Sequence, residues 1–568
     1  MSDAVRPNAV SADHAHKDPA RTTPGHGAAA PGGPASSPGP LSPRPARRSL
    51  LAGAALATAG LAVPAFGAAN ARAAGRAPAR AWSGRPAADW GVQAGDVGER
   101  SAVIWTRSDR PAVMTVETSA TESFRGARRW RGPLLTPGTD FTGTTALHGL
   151  PPGEQIHYRV TLADPDDPRR SSRPVTGTFR TAPARRSAGV RFLWSGDIAG
   201  QGWGINPDRG GWRVYEEMAR LDPDFFLCSG DTIYADGPIQ PSVTLPDGTV
   251  WRNLTTEAKS AVAQSLDEYR GAFRYNLLDA HLRRFNAQVP QITQWDDHEV
   301  RNNWYPGQIL DDPLYTEKRV DVLAARARRA FSEYFPLSTL PPGDPDGRVY
   351  RVLRHGPLLD VFVLDMRTYR DPNSRNRQVD DPQGILGAHQ LRWLKRELSR
   401  SRAVWKVIAA DMPLGLVVAD GATNFEAVAQ GDPGAPLGRE LQIAELLRHI
   451  KHARVTGTLW LTADVHYTSA QHYAPERAAF QDFAPFWEFV SGPLSAGGFP
   501  SVPLDGTFGP RQTFLKAPAR ANVSPAELPP NYGEVSIDGQ SAELTVRLRE
   551  EGGRVLYTRV LRPGLVGQ

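Results

Sequence analysis

Carboxylates and histidines recur in this chain directly after apolar runs. Phe192–Trp194 is followed by Ser195-Gly196-Asp197, and Phe225–Cys228 by Ser229-Gly230-Asp231. Gln291–Trp295 leads into Asp296-Asp297-His298-Glu299, Val404–Ala409 into Ala410-Asp411, and Thr458–Thr462 into Ala463-Asp464-Val465-His466. Short apolar runs bounded by turn residues read as buried strands, and in open α/β sheets ligands bind beyond the carboxyl ends of the strands. Any one Asp after Gly is as readily a turn former or a helix N-cap. Five Asp- or His-bearing strand ends point instead to one metal site. Its donors are mostly oxygens, which disfavours a closed zinc site of Cys and His and suits hard cations such as Ca²⁺.

The elements that would position these groups alternate. Val190–Trp194 and Asp224–Cys228 read as strands around a helix over Arg213–Leu221. Val361–Leu364 is a further strand before a helix over about Ala388–Arg400. Val404–Ala409 and Thr458–Thr462 flank an amphipathic helix over Gly438–His452. This is an α/β or α+β layered architecture. The tail from Gly533 to Pro563 returns to strands, with Glu551-Gly552-Gly553 as a hairpin turn, and Tyr305–Phe335 is expected to be largely helical. Ahead of this core, residues 88–183 carry strand runs at Ser101–Trp105, Val113–Glu117, Ile156–Val160 and Gly177–Thr181, broken by Pro/Gly turns, which suggests a β-sandwich. The Leu150-Pro151-Pro152-Gly153 turn before a Tyr-bearing strand resembles a fibronectin-III-like module of structural role.

At 568 residues, 40% of them hydrophobic, the chain can bury a large core. The net charge of +6 comes without a dense basic block in the folded part, which argues against a dedicated nucleic-acid partner. Residues 1–46 are rich in Pro, Ala, Gly and Ser and read as a disordered extension. Arg47-Arg48 opens a mildly apolar stretch that ends at Ala71-Arg72-Ala73, the layout of a Tat export signal over residues 47–73. Weak hydrophobicity and Pro64 favour that over a membrane anchor, so a protein handled by the Tat machinery and released to the periplasm or outside the cell is expected. Cys228 is the sole cysteine and reads as a small buried hydrophobe.

Gly230-Asp231 and Asp297-His298-Glu299 resemble the motifs of calcineurin-like metallophosphoesterases. Ala199, Asp297, Asp411 and Asp464 stand where that superfamily usually has His, Asn, His and His. The oxygen-rich pattern resembles the PhoD-type alkaline phosphatases, which share Gly230-Asp231-Thr232-Ile233-Tyr234, Trp295-Asp296-Asp297-His298-Glu299 and Ala463-Asp464-Val465-His466-Tyr467. Asp365-Met366-Arg367, Phe486–Phe489 and Gly533–Ile537 extend the match. The resemblance implies a four-layer α/β-β/α metallophosphoesterase core over residues 189–565 behind the sandwich, with Fe³⁺ and Ca²⁺ as cofactors. One departure is Asp197, where the best-known members place a Cys as first metal ligand.

On this reading Asp231 bridges two cations about 3.5–4 Å apart, and Asp197, Tyr234, Asp297, Asp464 and His466 complete the set. Tyr234 would coordinate only as phenolate, which an ion such as Fe³⁺ would drive; the alternative is a core tyrosine. A metal-activated hydroxide would displace the leaving group in line, with His298 protonating it; the alternative is a structural His298–Glu299 pair. Arg301, Asn302, Asn303, Arg367 and Arg370 are candidates for holding phosphate oxygens, and Asp411 for a ligand or a partner behind one. The expected activity is hydrolysis of phosphomonoesters, phosphodiesters or both, small or polymeric, at alkaline pH, by a monomer. The other readings are a purple-acid-phosphatase-like enzyme and an exported binding protein whose site has decayed.

Overall fold

The computed structural model describes residues 84–186, 188–340, 347–380 and 384–564. The extension over 1–46 and the export signal over 47–73 lie outside them.

The N-terminal strands are β1 (Val92–Gly95), β2 (Ser101–Arg107), β3 (Ala112–Ser119), β4 (Arg128–Leu135), β5 (Thr142–His148), β6 (Gln155–Ala163) and β7 (Val175–Arg180). Each strand expected here exists, and the structure adds β1, β4 and β5. β3 and β6 alternate buried and half-buried residues, the period-two pattern of a sheet with one wet face. β4-β3-β6-β7 form one sheet, but the sandwich is not free-standing. β1-β2-β5 run on into the central sheet, because Gly95 of β1 pairs in parallel with Gln291.

The core begins with β8 (Val190–Ser195), α1 (Val214–Arg220) and β9 (Phe225–Ser229). A small hairpin, β10 (Ser242–Thr244) and β11 (Val250–Arg252), precedes α2 (Leu266–Asn276), α3 (Ala280–Gln288), β12 (Gln291–Gln294) and α4 (Val320–Tyr334). There follow β13 (Arg351–His355), β14 (Leu359–Val363), α5 (Gly387–Arg400), β15 (Trp405–Ala409), β16 (Ala419–Asp420), β17 (Asn424–Phe425), α6 (Glu440–His452) and β18 (Thr458–Thr462). The chain closes with β19 (Thr468–Tyr473), β20 (Phe486–Val490), β21 (Pro510–Lys516), β22 (Asn531–Ile537), β23 (Leu544–Glu550) and β24 (Val555–Leu561). The expected strands and helices fall within a residue or two of these bounds, except one. Tyr305–Phe335 is helical only from Val320. Pro306-Gly307 and Pro313 break the segment before it, because proline lacks the backbone donor and its ring clashes with the preceding turn.

The nine-stranded sheet runs β24-β23-β22-β8-β9-β12-β1-β2-β5, and a seven-stranded sheet runs β13-β14-β15-β18-β20-β19-β21. They pack face to face: Phe192, Trp194, Leu227 and Val535 of one meet Val361, Trp405, Leu459 and Phe489 of the other. Phe226 and Leu193 turn to the opposite face, where α1 and α3 cover them with Met218 and Phe285. Ile408 and Trp460 turn to α5 and α6, against Leu394 and Leu446. The strands are continuous hydrophobic runs because both their faces are buried. The result is a four-layer α-β-β-α core. Among the described residues no helix is long and apolar enough to cross a membrane.

Candidate metal centre

β8, β9, β12, β15 and β18 lie side by side in their two sheets as parallel strands, so their carboxyl ends open on one edge of the core. At those ends Asp197, Asp231, Asp464 and His466 take left-handed backbone conformations, with φ of 65°, 49°, 70° and 57°. Asp is among the few residues that tolerate this region, and such strain clusters at functional sites. Gly230 makes the turn before Asp231 possible: its φ is +100°, and a Cβ there would sit 2.5 Å from the Asp296 Cβ.

Donor atoms fall in three groups, within each of which they lie no more than 4.8 Å apart: Asp197, Asp231 and His466; Asp231, Asp297 and His298; and Asp296, Asp297 and Asp464. Asp231 belongs to the first two and Asp297 to the last two, so adjacent positions share a carboxylate. Both oxygens of Asp197, Oδ1 of Asp297 and Oδ2 of Asp296 are buried without a hydrogen-bond partner. Burial first, and the neighbouring carboxylates after it, push Asp197, Asp231 and Asp464 well above the usual carboxylate range. Orphaned anionic oxygens in such density fit bound cations, which would satisfy the oxygens and cancel the repulsion.

The remaining donors are arranged to match. His466 Nδ1 donates to the carbonyl of Gly497 at 2.6 Å, and since a carbonyl can only accept, Nε2 carries the lone pair. Burial keeps this imidazole neutral, its pKa pushed down to about 4. Its Nε2 lies 2.7 Å from the Tyr234 hydroxyl and 3.8 Å from Asp197 Oδ1. Tyr234 is therefore buried, yet its hydroxyl faces the donor group. Burial and the nearby Asp231 and Asp197 hold that phenol protonated in the absence of a cation.

His298 stacks on Tyr234, ring centroids 4.2 Å apart, and its backbone N–H donates to Asp231 Oδ1 at 3.2 Å. Its side-chain partner is Asp236, not Glu299: Nδ1 is 2.7 Å from Asp236 Oδ1, while Asp236 Oδ2 accepts from the backbone N–H of Asn302. Burial disfavours the imidazolium, but Asp236 and Asp297 outweigh it and raise its pKa to about 9. Glu299 turns inward and accepts from Thr232 and from the backbone N–H of Asp296, tying two strand-end loops together.

The arginines part company. Arg367 is fully buried, 2.5 Å from Asp296, 3.3 Å from Asp411, 3.4 Å from Asp464 and 3.7 Å from Asp297, and also paired with Glu426. It neutralises carboxylates beneath the centre and has no face left for a phosphate. Arg370 is likewise buried, bonded to Asn373 and the Glu426 carbonyl. Arg301 is half-buried, 5.7 Å over the Tyr315 ring, and is paired with none of these carboxylates. Asn303 donates its backbone N–H to Asp297 and its side-chain amide to Asp420; Asn302 is exposed. Asp411 faces Arg367 behind the donor groups. Cys228 is buried, and burial pushes its thiol up. Asp236 and Glu426 escaped sequence reading. Asp236 lies five residues beyond Asp231 in the same loop, which was a signal; Glu426 had none, since it follows no apolar strand.

A family model described as PhoD-like phosphatase matches residues 192–548, and one described as PhoD-like phosphatase, N-terminal domain, matches residues 73–183. The chain is 29% identical over 433 residues to alkaline phosphatase D of Bacillus subtilis (strain 168), covering 72% of this chain and 69% of that one. A solved structure of PhoD matches with a TM-score of 0.64 at 22% identity, over 85% of this chain and 92% of that chain. Purple acid phosphatase PPD1 from yellow lupin seeds matches with a TM-score of 0.54 at 13% identity, over 84% of this chain and 74% of that chain. The last two show a shared fold.

Proposed function

The chain belongs to the PhoD-like phosphatase family, and from that premise we propose that it is an exported enzyme hydrolysing phosphomonoesters, phosphodiesters or both at alkaline pH. It is a metal-dependent phosphatase; the finer statements are our reading. One observation carries it: Asp231 groups with Asp197 and His466 on one side and with Asp297 on the other, and Asp297 in turn with Asp464, the arrangement a pair of cations needs to flank one phosphate.

In this reading Asp197, Asp231, Tyr234 and His466 hold one cation, and Asp231, Asp297 and Asp464 the other. The oxygen-rich set and the phenol of Tyr234 support Fe³⁺ at the first position and Ca²⁺ at the second. When bound, the metals supply Lewis acidity toward the phosphoryl oxygens and a water made acidic enough to attack at working pH. The chain's own residues do the rest. Asp236 fixes the His298 ring through Nδ1, and Nε2 gives its proton to the leaving alkoxide. Gly497 orients His466 through its carbonyl. Arg367 favours the ionised form of Asp297 and pairs with Asp296 and Asp464 beside it. Arg301 is the remaining guanidinium placed to meet a phosphate oxygen. The twin-arginine segment supports Tat export, and we take the enzyme to act as a monomer outside the cytoplasm.

The test is hydrolysis of matched aryl phosphomonoesters and phosphodiesters between pH 6 and 10, before and after chelation. Activity rising from pH 6 toward about 9, where His298 begins to lose the proton it donates, and abolished by chelation is expected. Undiminished turnover after exhaustive metal removal would sink the reading.

A further inference from the structure

The outer side of β4 pairs with no strand among the described residues. Its sequence opens Arg128-Arg129-Trp130-Arg131, and Arg125 stands in the turn before it; all four arginines are exposed. Arg129 and Arg131 share a face, about 7 Å apart at the rise of an extended strand. The register sets Arg129 opposite Glu117, and Glu117 opposite Arg159. Glu117 is thus divided between two cations, 2.7 Å from Arg159 and 3.8 Å from Arg129, whose side chain stays 74% exposed. Arg128 lies 3.8 Å over the Trp130 ring, which steadies its guanidinium. Arg125 and Arg131 have no ion-pair partner among the described residues, and Glu122 is the other acid of this stretch.

We propose that this edge strand is a docking surface for a linear polyanion built of repeating phosphates. Arg129 and Arg131 line up along one face of the strand, a row that complements a chain of charges better than a plane of them. Guanidinium forks match phosphate oxygens, and the unpaired backbone N–H groups of an edge add donors along the same line. The sandwich would then hold a polymeric anion on the enzyme while the metal centre works elsewhere. This inference does not rest on the catalytic reading, since binding is measured without turnover.

The experiment measures retention of the full chain on immobilised long-chain inorganic polyphosphate at stepped salt. The comparison is a triple variant, Arg125→Gln, Arg129→Gln and Arg131→Gln. Wild type should be retained and released steeply by salt. The variant should elute earlier, its slope of log affinity against log salt smaller by about two, with hydrolysis of a small aryl phosphate unchanged. Retention equal to wild type overturns the proposal. So does wild type binding anionic-lipid vesicles more tightly than polyphosphate. A variant that aggregates but binds polyphosphate as before assigns these arginines to edge protection and overturns it too.

Discussion

Nδ1 of His298 lies 2.7 Å from Oδ1 of Asp236, on a loop that also carries Asp231 and Tyr234. One seven-residue stretch, Gly230–Asp236, thereby supplies the shared carboxylate, the phenol and the group that orients the imidazole. Asp236→Asn should leave metal content intact and slow turnover about 10–100-fold. The loss should grow as the leaving alcohol becomes less acidic, because such groups most need a proton. A series of esters of graded leaving-group pKa checks this; an equal loss across the series would refute the role of His298.

Arg367 is predicted to act on stability before it acts on substrate. Replacing it by Met strands Asp296, Asp411, Glu426 and Asp464 without their cation. Removing one partner of a buried ion pair costs about 3–5 kcal/mol, to be read by urea unfolding of the metal-free protein. Unaltered stability with a raised KM would instead restore Arg367 to the phosphate-holding role its sequence context suggested.

His355 should give the fold an acid dependence. Burial against Phe225 pushes its pKa down to about 4, from 6.5. The unfolded chain therefore binds a proton that the folded one refuses between those values, so stability is lost as pH falls from about 6.5 to 4. Two and a half units correspond to about 3 kcal/mol. His355→Phe should flatten that part of the profile; parallel curves for variant and wild type would contradict it.

Gly230→Ala should cost about 1–3 kcal/mol, because φ of +100° and the nearby Asp296 Cβ both oppose a side chain. Thermal unfolding would show it, with Gly248→Ala, open to solvent at a similar φ of +84°, separating backbone strain from the clash. Equal losses at the two positions would leave strain as the whole effect.

The contrast between Asp231 and Glu426 shows what the sequence could convey. Asp197, Asp231, Asp297, Asp464 and His466 were legible because each follows an apolar strand, and parallel strands must end together. The partner of Arg367 across the site, Glu426, sits in an irregular segment after β17, brought in by tertiary approach alone. Arg367 itself was misread because a side chain's environment, anionic or open, is set by strands distant in sequence. The alternative reading of His298, a structural pair with its neighbour Glu299, fails because the loop turn aims the two side chains apart. β4 is not legible because its exposed arginines lack the alternation that marks a half-buried strand, and the Ala/Arg/Leu spacing that marks the helix from Val320 does not reach back over the prolines of 305–319. The sandwich was legible as strands, but its sharing of a sheet with the core was not, since that depends on the single pairing of Gly95 with Gln291.

The central claim is that Asp231 serves two cations at once. It is tested most directly by metal analysis and visible absorption of purified wild type, Asp231→Asn and Tyr234→Phe. Wild type should hold two metal equivalents with a phenolate-to-iron band; Tyr234→Phe should lose the band, and Asp231→Asn should lose occupancy of both positions together with ester hydrolysis. An Asp231→Asn protein that keeps both metals and its activity would contradict the account.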